Sequence, residues 1–468
     1  MEFYVKNVGL ISESLVRCEG ITVITGLNGS GKSSFLKAIT SVILASNEYE
    51  KHFLKDRVDY IKKQLLKPFK VMGFSINESN LSRGRIAEYF PVLTSFLSDN
   101  SLSFEDGERM AYLVKKIEDE IEYNKSKLFY ITELYSYDAG WLDRSGRDKD
   151  ALIKRINERI YENFLDVFGE INLFLSNNAS LKNYLFSRIT IQLDSAFNNQ
   201  LFPMNKRDEL FSRISVKNND SFLNYVRTFD GRVTNSELYG NLPFENVYYI
   251  QEASVIDDVR NIARRLSDPE SFATDSNGIK TTSFNDALLN DLVAKRTPID
   301  VNLNEERYFK ILDLLDATVN YDLRIVGSTL RSSNGGLSIK NEASGSKIFL
   351  ILKTLIKKGF INKNTILFLD EPENHLHPEW QQLLGKCLVL MSEIIGCKFI
   401  IATHSPSFLL SLDVYGKNLK KEGKFNVYFG EKNDGFSTFK DCTFEIEYAH
   451  KKLNEPYILM DLFGNTND

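Results

Sequence analysis

No apolar run in this sequence approaches the roughly 18–20 residues needed to cross a bilayer; the notable ones, 365–369 and 386–396, are short. The opening MEFYVKNVGLISESL also lacks the basic start and continuous apolar core of a secretory leader, and reads as an amphipathic strand pair. A cytoplasmic protein with no membrane partner is expected. The four cysteines, Cys18, Cys387, Cys397 and Cys442, are scattered and form no CxxC, so neither a disulfide framework nor a thiolate zinc site is indicated and buried reduced thiols are expected. A basic excess is also missing. The net charge is −5, so bulk electrostatics do not mark a nucleic-acid binder, and the local cluster Lys417, Lys420, Lys421 and Lys424 is expected to be a solvated face.

What is present is ample apolar content for a large core, 43% of 468 residues, with room for a second domain. Alternating apolar and polar positions through FYVKNVGLI and SLVRCEGITVITG predict two or three strands feeding a glycine-rich turn. Long runs poor in glycine and proline, such as EYEKHFLKDRVDYIKKQLLK and ERMAYLVKKIEDEIEYNKSKLFYITELY, then predict a helical insertion over 46–180. Its Leu113, Ile117 and Ile121 suit a short coiled-coil hairpin or a bundle. The stretches ITIQLDS, LFSRISV and NVYYIQ read as strands again, and 255–320 as a second helical section with a polar loop near 274–282. Residues 1–45 and 181–468 together are expected to form one α/β head, a mixed and parallel sheet flanked by helices.

Five segments carry chemistry. GLNGSGKSS satisfies G-x-x-x-x-G-K-[ST] at Gly26, Gly31, Lys32 and Ser33, with the strand ITVIT before it and the helix SSFLKAITSVI after it. Loop N–H groups of Asn28, Gly29, Ser30, Gly31 and Ser34 and the helix N-terminus would then converge on phosphates, with Lys32 bridging the β and γ groups and Ser33 on Mg²⁺. The apolar strand TILFLDEPE ends in Asp370, placed to hold Mg²⁺, and Glu371, placed to orient and polarise an attacking water. A second buried strand, KFIIATHSPSF, delivers His404 to the γ phosphate. VYYIQ ends in Gln251, a ligand for Mg²⁺ or for the water, and NEASGSKIFLILKTLI places the small Ser344 and Gly345 at an open helix N-terminus. The pair His375 and His377 has HxH spacing, but Pro378 suits the first turn of the next helix, so ENHLH reads as a loop shaping the site and a subunit contact.

In this order, the segments around Lys32, Gln251, Ser344, Asp370 with Glu371, and His404 resemble the Walker A, Q-loop, signature, Walker B and H-loop of ABC ATPases. DEPENHLHPEWQ followed by THSPSFLLSL is similar to stand-alone bacterial members related to OLD, RecF and SMC heads. The resemblance covers about 1–45 and 240–415. It implies an ABC-type P-loop head that binds ATP and Mg²⁺, hydrolyses ATP through Lys32, Glu371 and His404, and forms a homodimer or higher oligomer in which Ser344 and Gly345 act across the interface. The signature departs from LSGGQ: Ala343 stands for Leu, Ser346 for the second Gly and Lys347 for the acidic or amide residue, which implies slow hydrolysis. No zinc-hook CxxC occurs, and the roughly 64 residues after His404 are too few for a C-terminal Toprim nuclease. The chain therefore looks most like the ATPase subunits of bacterial anti-phage systems such as Septu, its retron-linked modules and PARIS, which restrain a separate nuclease or other effector. The alternative is a RecF- or SMC-like repair or chromosome-maintenance ATPase that clamps DNA.

Overall fold

The computed structural model describes residues 1–47, 49–70, 89–98, 107–128, 149–176, 181–202, 211–258, 284–294, 306–326, 329–333 and 338–464. The chain divides into two compact units: Met1–Asn47 with most of the chain from Leu185 onward, and Glu48–Tyr184.

The first unit is built on one eleven-stranded sheet. Its strands are β1 (Glu2–Val8), β2 (Ile11–Arg17), β3 (Ile21–Gly26), β4 (Phe211–Lys217), β5 (Phe222–Thr228), β6 (Glu237–Tyr239), β7 (Asn246–Ile250), then, beyond the separate hairpin β8 (Leu323–Val326) and β9 (Thr329–Ser332), β10 (Thr365–Asp370), β11 (Lys398–Thr403), β12 (Phe425–Asn433) and β13 (Phe436–Asp441). The order is β6-β5-β4-β1-β2-β13-β12-β3-β11-β10-β7. From β12 to β7 every pairing is parallel. The pairings β1 with β2, β1 with β4, β4 with β5, β5 with β6 and β12 with β13 are antiparallel. The result is the mixed α/β sheet expected of an ABC-type P-loop head.

Register decides where the chemistry emerges. Thr25 lies opposite Thr403, Asp370 opposite Ala402, and Ile250 opposite Leu369. Because these strands are parallel, β3, β11, β10 and β7 release their following loops at one edge of the sheet, where open α/β sheets bind ligands. β3 and β10 are buried along their whole length, as a strand covered on both faces must be. Each of Leu367, Phe368 and Leu369 is fully buried, and each such side chain contributes about 1.5–3 kcal/mol.

Helices cover that sheet: α1 (Lys32–Ser46) follows β3 directly. In the second unit, α2 (Tyr49–Lys70), α3 (Pro91–Ser98), α4 (Gly107–Tyr123) and α5 (Lys149–Ser176) share one apolar cluster including Ile61, Leu65, Leu97, Ile117, Ile121, Ile160, Phe164 and Ile171. Leu113 packs at its margin. Four helices contributing to one cluster make this a bundle rather than a two-helix coiled-coil hairpin.

One strand expectation fails. ITIQLDS lies inside α6 (Leu181–Ala196), with Leu185, Ile189, Gln192 and Leu193 buried. That spacing is helical, and the buried side it makes outweighs the local β-branched alternation of Ile189, Thr190 and Ile191. LFSRISV and NVYYIQ do form β4 and β7. The second helical section holds α7 (Phe284–Val293) and α8 (Glu306–Thr318), while the polar loop at 274–282 lies outside the described residues. The remaining helices are α9 (Ser344–Lys357), α10 (Pro378–Ile394), α11 (Pro406–Tyr415), the short α12 (Lys417–Lys421) and α13 (Ile446–Gly464). All four cysteines are buried and free. Among the described residues no helix is long and apolar enough to cross a membrane.

Candidate functional site

β3 ends at Gly26 and the loop Leu27–Gly31 turns directly into α1. Gly29 and Gly31 adopt φ of 74° and 80°, a conformation that costs an L side chain energy, and Gly31 serves as the cap of α1 without any side-chain cap bond. A Cβ on Gly31 would also stand 3.0 Å from Ile11 Cγ1. The first-turn N–H groups of α1 are thus left for an anion, as the helix dipole favours. The buried Ser30 hydroxyl has no hydrogen-bond partner among the described residues.

Leu10, Asn28, Gly29, Ser30, Gly31, Lys32, Ser33, Ser34, Glu371 and His404 line one open cleft of about 410 Å³. Lys32 is 5% exposed, and its ammonium donates to the carbonyls of Gly26 at 2.9 Å and Leu27 at 3.1 Å. Burial pushes its pKa down, opposed by the charges of Glu371, Asp370 and Glu373. An ammonium held by the loop carbonyls beside free helix N–H groups is suited to a polyphosphate.

Ser33 Oγ donates to Asp370 Oδ1 at 3.0 Å, although 337 positions separate them. Two oxygens each about 2.1 Å from one octahedral Mg²⁺ sit about 3.0 Å apart, so this pair fits adjacent ligand positions of that ion. Among the described residues no group of three or more His, Cys, Asp and Glu side chains could cage a metal by itself. Mg²⁺ is the cation for which few protein ligands suffice, because it keeps waters and substrate phosphates. Burial raises the Asp370 pKa, opposed by the hydrogen bonds from Tyr249 and Ser33.

Glu371 follows in the left-handed region, φ 52°, a conformation seldom taken by a non-glycine residue and common at functional sites. Its Oε1 is 3.0 Å from His404 Nδ1, and its Oε2 accepts from Asn374 Nδ2 at 3.0 Å.

Three of the sequence candidates stand elsewhere. Gln251 follows Ile250 at the same sheet edge, with an exposed side chain, but does not line the cleft. Ser344 is exposed at the start of α9, and Gly345 packs on the loop after Asp370: a Cβ there would lie 3.0 Å from Leu376 Cδ2 and 3.2 Å from the His375 carbonyl. Lys347, at the departure from the signature pattern, is buried and paired with Asp257 at 2.8 Å. His377 caps α10, its Nδ1 accepting from Glu379 N–H at 3.4 Å. In the basic cluster, Lys420 pairs with Asp413, and Lys424 with Glu422 at 2.7 Å.

Sequence inspection missed Tyr249. Its hydroxyl donates to Asp370 Oδ2 at 2.9 Å, and burial, then the Asp370 charge, raises its pKa far above the ordinary phenol value. The only sequence signal is its place two residues before Gln251 in a strand; the pairing of β7 with β10 brings it to Asp370. Leu10 was missed too, because it reaches the cleft from the β1–β2 turn.

Residues 205–411 match the family described as "AAA domain, putative AbiEii toxin, Type IV TA system". That is less than half of the chain; it includes Asp370, Glu371 and His404 but not the loop at Lys32. A search of the curated proteins gives no match. Among solved structures, the SMC head domain from Thermotoga maritima is 11% identical with TM-score 0.36, covering 94% of this chain and 97% of that one. An SmcHead bound to the C-winged helix domain of ScpA is 12% identical with TM-score 0.38, over 96% and 98%. An Smc head domain with an extended coiled coil, bound to the C-terminal domain of ScpA derived from Pyrococcus furiosus, is 13% identical with TM-score 0.28, over 97% and 98%. At those scores the likeness carries no weight for function.

Proposed function

We propose that this chain is an ABC-class ATPase that binds ATP with Mg²⁺ in the Lys32 cleft, hydrolyses it, and associates with further copies of itself to control a separate effector. The observation that carries the enzymatic part is the meeting, at one sheet edge, of Ser33 with Asp370 and of Glu371 with His404, each pair 3.0 Å apart. Loop N–H groups from Asn28 to Ser34 cradle the phosphates, and Lys32 turns from the Gly26 and Leu27 carbonyls to bridge β and γ. Ser33 and Asp370 hold Mg²⁺, which when bound neutralises charge on the β and γ phosphates. Tyr249 keeps the Asp370 carboxylate oriented. Glu371 accepts a proton from the attacking water, and His404 holds that carboxylate and faces the γ phosphate.

Gln251, Ser344 and Gly345 lie outside the cleft and complete it on association, Gln251 from the same chain and Ser344 with Gly345 from another copy. The matched family's description names a toxin of a type IV toxin–antitoxin system, which supports a defence setting with a nuclease or toxin as the effector. The test is co-purification of the products of neighbouring genes with tagged Glu371→Gln protein in ATP and Mg²⁺. A stoichiometric effector protein is expected; recovery of DNA without protein, with DNA-stimulated turnover, would replace this assignment with a DNA clamp.

A further inference from the structure

The loops bearing Glu371 and His404 are joined by a closed circuit of hydrogen bonds in which neither of those side chains takes part. Thr403 Oγ1 donates to Glu373 Oε1 and accepts from the Ser405 N–H at 3.0 Å. Ser405 Oγ donates to Gln381 Oε1 at 3.0 Å, Gln381 Nε2 donates to the Leu376 carbonyl at 3.2 Å, and the Leu376 N–H returns to the Glu373 carbonyl at 3.0 Å. The single proton of the Thr403 hydroxyl is given to Glu373, whose pKa burial raises.

We infer that Glu373, Thr403 and Gln381 are positioning residues for ATP hydrolysis: their circuit clamps the Asp370–His377 loop to the end of β11 and so fixes the distance between Glu371 and His404. This rests on the ATPase assignment above. Three observations support it. The circuit joins the two loops that carry the reacting pair, directly through Glu373 and Thr403 and again through Gln381 in the first turn of α10. Glu373 is 3% and Thr403 0% exposed, so water cannot substitute for the contact. Glu373 Oε2 is buried without a hydrogen-bond partner among the described residues. A buried carboxyl left half satisfied is a poor means of joining two loops for stability alone, since a well-packed apolar pair commonly does as well or better. Its placement is better explained by direction than by strength.

The test is steady-state ATP turnover of the full chain with Thr403→Val, Thr403→Ser and Gln381→Leu. Valine keeps the shape and removes the donor; kcat is expected to fall roughly tenfold, with KM for ATP within about twofold, the loss of one well-placed hydrogen bond. Serine restores the donor and is expected to recover most of kcat. Gln381 is only half-buried, so Gln381→Leu cuts the same circuit where folding is less exposed to damage, and the same split between kcat and KM is expected. Turnover in the wild type that is lost in Lys32→Ala but untouched in both Thr403→Val and Gln381→Leu overturns the positioning role alone. Equal losses in Thr403→Ser and Thr403→Val overturn it as well, since size and not the hydroxyl would then matter. No turnover in the wild type overturns it together with the ATPase assignment.

Discussion

The two halves of the eleven-stranded sheet obey different rules. In the parallel half, β3 and β10 are buried at every position, and their charged residues appear only where the strands end. In the antiparallel half, β1 and β2 alternate, with Phe3, Val5 and Val16 inside and Leu15 45% exposed. A strand covered on both faces can offer function only at its tip, whereas a strand with one open face carries polar groups along its length. The division of labour follows: the parallel half concentrates Lys32, Asp370, Glu371 and His404 at one edge, and the antiparallel half extends the sheet and lends the site only the Leu10 turn.

Substitutions in matched positions sharpen that contrast. The largest effect belongs to Lys32→Ala, expected to reduce ATP turnover by on the order of 100-fold or more. Arg213→Ala, which removes a bond to Asn224 in the antiparallel half, leaves turnover unchanged in the same assay. Next comes stability. Phe368→Ala, fully buried in β10, is expected to cost about 3–5 kcal/mol by urea unfolding, whereas Leu15→Ser in β2 stays within about 0.5 kcal/mol. Similar costs at both sites would break the comparison. A smaller effect is expected of Lys347→Gln, which restores the signature residue of the ABC pattern. It removes the buried partner of Asp257, so unfolding should show a loss of about 1–3 kcal/mol and turnover should not rise. The smallest is Tyr249→Phe, which keeps the ring and deletes the bond to Asp370; a fall in turnover of up to about tenfold is expected, with little change in thermal stability.

Legibility in the sequence tracks the same division. The P-loop, Asp370 with Glu371, and His404 could be found because each is a short local pattern at the end of an apolar run. The alternation of β1 and β2 was equally plain. Pattern failed at 189–195, where Ile189, Thr190 and Ile191 imitate a strand locally while Leu185, Ile189 and Leu193 bury one side of α6. It failed also at Tyr249 and at the Glu373–Thr403 circuit, because each depends on the pairing or approach of segments tens of residues or more apart. The role of Lys347 was hidden for a related reason: as a departure from a motif it marks a loss, and only its contact with Asp257 shows what the residue does.

The central claim is that the Lys32 edge is a hydrolytic ATP site. The most direct test measures Mg²⁺-dependent ATP binding and turnover side by side for the wild type and Glu371→Gln. Turnover by the wild type is expected, with Glu371→Gln binding ATP comparably while kcat falls by about 10²–10⁴-fold. Equal turnover by the two proteins, or no ATP bound by either, would contradict the claim.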